Sequence, residues 1–222
     1  MPKPSEFFVG LLEFFAILLP GFIATLFLAP RVAPYVGGSL VPAPATEAER
    51  WVLLLVGAYL IGNLLFHAGS SVDHVYDRVR KARLARANAQ LESAPGSPLE
   101  GNAYDVWAND QAFRQATLLR KAMLEPAQHN AMNTYKWARS LLLAAMPAGA
   151  EDVHRLEADS KLFRSAMVVC VLFALVLMLE QRFAGALLAL MGTWPCFMLY
   201  FDRRLKCTSQ AYIHAITLLQ RN

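Results

Sequence analysis

Glu13 is a lone carboxyl group inside an otherwise apolar stretch, residues 7–29 (FFVGLLEFFAILLPGFIATLFLA). In a membrane such a group faces a bundle interior or water and marks an ion or proton pathway. The plainer alternative is a protonated Glu13, or one reaching the headgroups beside Lys3. A helix beginning near Phe7 would carry Glu13 about 10 Å inward at 1.5 Å per residue. In a second apolar stretch, Asn63 and His67 stand four residues apart and share a helical face with Tyr59. Such groups join helices through hydrogen bonds or line a pore. Glu13, Asn63, Tyr59 and His67 are the pore-lining candidates.

The densest basic run is DRVRKARLAR, residues 77–86. One reading is a topogenic anchor on anionic lipid. Another is a phosphate-binding ring in an oligomer, because guanidinium forks match phosphate oxygens. Arg78, Arg80, Lys81 and Arg83 are the ligand candidates. Duplex DNA is not expected as a partner, since no docking module accompanies the run.

Little else in the chain suggests chemistry. Cys170, Cys196 and Cys207 form no CxxC and no disulfide framework. His67, His74, His129, His154 and His214 form no compact zinc signature. Asp73, His74 and Asp77 share a helical face, which reads as solvated polarity. GxGxxG, GxxxxGK[ST] and GxSxG are all missing, so no nucleophile, base and orienting group can be named. The expectation is no enzyme, no catalytic residue, no metal and no cofactor.

The elements that must position these residues follow from how the apolar side chains are distributed. The 222 residues are 56% hydrophobic and 17% charged, with a mean hydropathy of +0.33. Soluble domains are nearer one quarter charged. Four dense apolar blocks, residues 7–29, 51–68, 162–179 and 183–201, each approach the roughly 20 residues that cross a bilayer. The first reads as an uncleaved anchor rather than a signal peptide, being long and followed by Pro30 and Pro34. The third is short, so Arg164 must snorkel at its entrance. Only Glu180, Gln181 and Arg182 separate the last two blocks. Two charged groups in mid-membrane would cost roughly 2.5–3.5 kcal/mol each, so a tight hairpin is expected.

Lys and Arg set the direction. They crowd after the second block, before the third and after the fourth, whereas the other side offers only Arg31, Arg50 and Arg182. Both termini and the long insert are therefore expected in the cytoplasm, with the protein in a bacterial inner membrane. The expected fold is an all-α membrane protein of four transmembrane helices, with a helical cytoplasmic insert between spans 2 and 3. Its parts are 1–69 (two spans and a proline-rich outer loop over 30–50), 70–161 (the insert), 162–201 (the hairpin) and 202–222 (an amphipathic helix).

Within the insert, 12 Lys/Arg stand against 11 Asp/Glu. Its turn signals predict helices over 70–92 (continuous with the second span), 105–124, from Pro126 to about 146, and from Glu151 into the third span. Pairs at i,i+4, Arg155/Asp159 and Glu157/Lys161, make the last either a solvated face or a strut carrying movement into the membrane. Residues past 201 recur apolar at helical spacing and belong on the membrane or beneath the insert.

The segments LLEFFAILLPGF, HNAMNTYKWARSLLLAAMP and EADSKLFRS, with this layout, resemble small bacterial membrane effectors of anti-phage defence. The likeness is to the channel type gated by nucleotide signals, of which the Hailong membrane component is one. The resemblance implies a homo-oligomeric channel whose opening dissipates membrane potential. It also implies a nucleotide or oligonucleotide second messenger acting on the cytoplasmic part. The expected partners are thus the bilayer, further copies of the chain and that messenger. The competing expectation is a non-conducting scaffold docking a soluble partner through Trp107, Phe113, Tyr135 and Trp137.

Overall fold

The computed structural model describes residues 4–36, 46–94, 98–99, 101–124 and 132–220, with side chains from residue 14 onward except 33, 35 and 36. Among the described residues there is no strand. The helices are α1 (Pro4–Val36), α2 (Glu47–Gly69), α3 (Val72–Ser93), α4 (Asn102–Met123), α5 (Thr134–Ala145), α6 (Pro147–Leu179) and α7 (Phe183–Gln220). Four of the helical stretches are long and apolar enough to cross a membrane. Only 17% to 22% of their most apolar windows is buried. A water-soluble bundle would bury those windows first; here they face outward, as lipid-facing surface does. The chain is a multi-pass helical membrane protein.

Two compact units form. One comprises Met1–Asp73 and Ala158–Tyr200, the other His74–Glu157 and Phe201–Asn222. We call them the apolar and the polar unit.

In the apolar unit, α1 and α2 cross at backbone contact. A Cβ built on Gly21 would lie 1.9 Å from the Ala58 carbonyl oxygen, and one on Gly62 would lie 2.3 Å from that of Ile17. Small residues permit this approach, and in lipid close packing replaces the hydrophobic effect as the force between helices. Ala24, Leu65 and Val169 are buried together beside it. Phe27 stacks on Phe173 with centroids 3.8 Å apart. Arg31 lies over Phe27 and pairs with Glu180 at 2.7 Å. In α7, Gly185 and Gly192 bring the helix against Leu177 and Cys170 of α6.

Several expected boundaries move. Residues 30–36 continue α1 through Pro30 and Pro34 instead of opening the loop. A proline can be accommodated when neighbouring groups satisfy freed carbonyls, and the Arg31 guanidinium donates to the Phe27 carbonyl at 2.6 Å. Helix α2 begins at Glu47, four residues ahead of the apolar block, because Thr46 and Glu49 form a capping box. The second span is not continuous with α3. Ser70 and Ser71 interrupt it, their hydroxyls donating to the carbonyls of His67 and Ala68, which competes with the helical ladder. The expected helix start at Pro126 lies outside the described residues. The helix that follows begins at Thr134, where the Asn133 side chain caps the Lys136 amide, so no helix runs unbroken to residue 146. Helix α6 then opens at Pro147, whose fixed φ suits a first turn. The hairpin between α6 and α7 closes through Gln181 at φ 59, with the Arg182 amide returning to the Leu177 carbonyl.

Arg164 does not snorkel. Its side chain is 8% exposed and pairs with Asp73 at 3.0 Å, while lying over the Phe66 ring and against Gly69. Tyr200, itself buried, donates its hydroxyl to the same carboxylate. An internal counter-ion has replaced the headgroup, which joins the end of α2, α6 and α7 at one point.

The polar unit closes around Ala116 of α4, Trp137, Ala138 and Leu142 of α5, and Val153 of α6. The α7 stripe of Cys207, Ala211, Tyr212 and Ala215 completes it.

Two outcomes are expected for the apolar unit. Gly62→Val should separate α1 from α2 and lower the melting temperature in detergent, an overpacking cost of about 1–3 kcal/mol. Gly57→Ala, with nothing nearer than Thr25 at 3.8 Å, should leave melting unchanged. Asp73→Ala should destabilise the protein by about 2–3 kcal/mol, because it strands a buried guanidinium. Asp202→Ala breaks only the exposed Lys206 pair and should cost under about 1 kcal/mol.

Candidate functional site

The polar unit encloses a cavity of about 310 Å³. Four helices and the α5 cap meet there. Helix α3 contributes Tyr76, Asp77 and Arg80, and α4 contributes Phe113. Residues 133–135 supply the start of α5, α6 supplies Glu157, and α7 supplies Arg204, Cys207, Thr208 and Tyr212. The α7 residues are drawn to one wall by spacing alone, since steps of three and four keep 204, 208 and 212 on one face.

A buried amide sets the cavity's basic side. Asn109, fully buried on α4, donates to Thr208 at 2.9 Å and to Ser209 at 2.8 Å. Its carbonyl oxygen accepts from Arg80 at 3.3 Å. Asp110 stands 3.7 Å from Arg80 and pairs more closely, at 2.7 Å, with Arg114. Arg204 lies 6.0 Å above the Tyr76 ring. The opposite chemistry centres on Glu157. It accepts a hydrogen bond from Tyr135 at 3.1 Å and faces Arg139 at 3.4 Å. The Tyr135 hydroxyl also lies 3.3 Å from the Cys207 sulfur. Phe113 and Tyr212 form an aromatic wall, with centroids 5.7 Å apart.

The acids of this cavity are held protonated. Burial pushes the Tyr212 hydroxyl up to about 12, against the lowering charges of Arg80 and Arg204. Burial likewise raises Tyr76, with the same two arginines opposing. Tyr135 is raised by burial and then by Cys207 and Glu157. Burial takes the Cys207 thiol up to about 11, partly offset by its hydrogen bond with Tyr135. At neutral pH the wall therefore presents hydroxyl donors, and Cys207 is a packed thiol rather than a nucleophile.

The sequence candidates separate. Arg80 lines the cavity, whereas Arg83 lies over Phe201 at 4.3 Å. Arg78 and Lys81 are exposed. Asn63 donates to the Tyr59 carbonyl at 2.8 Å, bonding within its own helix. Tyr59 is exposed and stacks on Phe14, and His67 is exposed beside Phe66. Nothing is described of the Glu13 side chain. Of the residues assigned to a docking partner, Trp137 is buried in the core and Tyr135 and Phe113 form cavity wall. Trp137 therefore offers no surface to a partner, because its apolar area is already spent on α5–α7 packing. Asp73 belongs to Arg164 and Tyr200, and no metal-binding group of three or more His, Cys, Asp or Glu occurs among the described residues.

Sequence reasoning missed Asn109, Tyr76, Arg204 and Thr208 as cavity groups. The signal available was the α7 repeat: Arg204, Thr208 and Tyr212 beside a small-residue stripe of Cys207, Ala211 and Ala215.

Fold and cavity together define a multi-pass helical membrane protein whose polar unit holds an internal aromatic and basic cavity. No protein-family model, no curated protein and no solved structure matches the chain.

The raised acids fix a sign for alkaline pH. A thiol whose folded value of about 11 exceeds its ordinary 9.0 favours folding fully below pH 9, and that contribution fades as pH climbs towards 11. Melting temperature in detergent should therefore fall between pH 9 and pH 11, and Cys207→Ala should shallow the fall.

Proposed function

We propose that the protein is a homo-oligomeric channel of the bacterial inner membrane, with the polar unit and both termini in the cytoplasm. A nucleotide signal acting on the polar unit gates it, as an effector of anti-phage defence. The orientation is supported by the Lys/Arg excess on residues 78–86, 155–164 and 203–206. The oligomer is supported by the extent of apolar side chain left uncovered on α2 and α7, among them Leu64 and Leu188, each 69% exposed. That surface can meet lipid or another copy.

The observation that carries the reading is the sharing of helices. Helix α6 gives residues 147–157 to the polar unit and the remainder to the apolar unit, and α7 is divided at Tyr200. Glu157, Arg204, Cys207 and Thr208 of the cavity wall therefore stand on the same two helices that bear apolar windows. A ligand that prefers one packing of that wall biases helices that also enter the bilayer, and differential affinity is all that gating requires. In this reading Glu13 and Asn63 tune conduction.

Purified protein in liposomes should dissipate an imposed potassium gradient, with Glu13→Gln altering the rate or the ion preference. Vesicles that stay tight at every protein density would refute conduction and leave a membrane scaffold.

A further inference from the structure

The basic run is the obvious place for an anion to bind, yet most of it faces away from the cavity. We propose that the cavity of the polar unit binds one small anion bearing a flat, nitrogen-containing ring, no larger than a nucleoside monophosphate, with Arg80 and Arg204 on its anionic end. This deepens the ligand-regulated reading above and rests on it, while making its own claim about where the ligand sits and how large it is.

Size sets the first limit. A volume of about 310 Å³ is at the small end of the roughly 300–1,000 Å³ found for ligand sites. It admits one ring and one charged group but no longer polyanion. Charge sets the second. Arg80 is oriented by Asn109 and stands 3.7 Å from Asp110, longer than the roughly 2.7–2.9 Å of a charge-assisted hydrogen bond. A ligand oxygen can therefore still compete for its fork. The protonated hydroxyls of Tyr76 and Tyr212 add donors on that side, and a phosphate or carboxylate accepts from all of them.

The remaining wall excludes a second negative charge. Glu157 and Asp77 are carboxylates, so a polyphosphate would meet repulsion where a ring N–H finds an acceptor. Phe113 and Tyr212 supply the faces against which a planar ring packs, and such stacking is worth about 1–3 kcal/mol per base when an aromatic is removed. Arginine fork, aromatic wall and carboxylate acceptor each select a different part of one molecule.

Full-length protein in detergent is titrated calorimetrically with each of the four ribonucleoside monophosphates, inorganic phosphate and a short single-stranded oligonucleotide. At least one monophosphate should saturate with a Kd below about 1 mM. Arg204→Lys, which keeps the charge and loses the fork, should weaken it at least about tenfold. Phe113→Leu should weaken it separately without moving the melting temperature, which keeps the test alive should the arginine variant misfold. The proposal is overturned if no monophosphate saturates a cooperatively melting protein, or if inorganic phosphate binds equally well. Oligonucleotide binding lost in Arg78→Gln but kept in Phe113→Leu also overturns it, by placing the ligand on the exposed run. The two readings fail separately. Conducting vesicles without monophosphate binding remove this site alone, and monophosphate binding with tight vesicles removes conduction alone.

Discussion

The last twenty residues of α7 carry the polar unit. Cys207, Ala211, Tyr212, Ala215 and Ile216 seal a core whose other walls are Ala116, Trp137, Leu142 and Val153. Residues 74–157 have few large apolar groups among their charges, and a unit of that size buries too small a fraction of its surface to be secure alone. The stripe succeeds because its members are small where helices must approach and aromatic where a gap must be filled. Removing it would open the core and dismantle the cavity together, since Arg204, Thr208 and Tyr212 stand on the same turns.

Polar groups are treated according to their solvent. In the polar unit the buried amide of Asn109 is satisfied by two hydroxyls and a guanidinium, a network in which each member orients the next. In the apolar unit Arg164 is satisfied by Asp73 and by the face of Phe66, and Asp73 by Tyr200 as well. Neither cluster exposes its charge. Both join segments far apart in the chain, and both specify one packing more than they add stability.

Gly21 and Gly62 express the same economy in the backbone. Lipid offers apolar helices no preference for each other over hydrocarbon, so α1 and α2 associate through contact close enough that any Cβ at either glycine would clash. Pro20 beside Gly21 suggested a kink; the tertiary role of the pair is an approach surface.

Hydropathy alone determined that four stretches of this chain are membrane-length and that the rest is helical, because burial in hydrocarbon demands contiguous apolar residues and internally satisfied backbone. The hairpin at 180–182 was equally legible, as a charged break between two apolar runs. Pairings across the chain were not. A lone arginine at a span entrance reads as a snorkelling anchor until Asp73, ninety-one residues away, is seen beside it. A basic run reads as one patch until helical rotation sends Arg80 inward and leaves Arg78 and Lys81 outside. Local pattern carries period and polarity. Which face meets which, and so which of several equivalent side chains acquires a task, is decided by packing between segments distant in sequence.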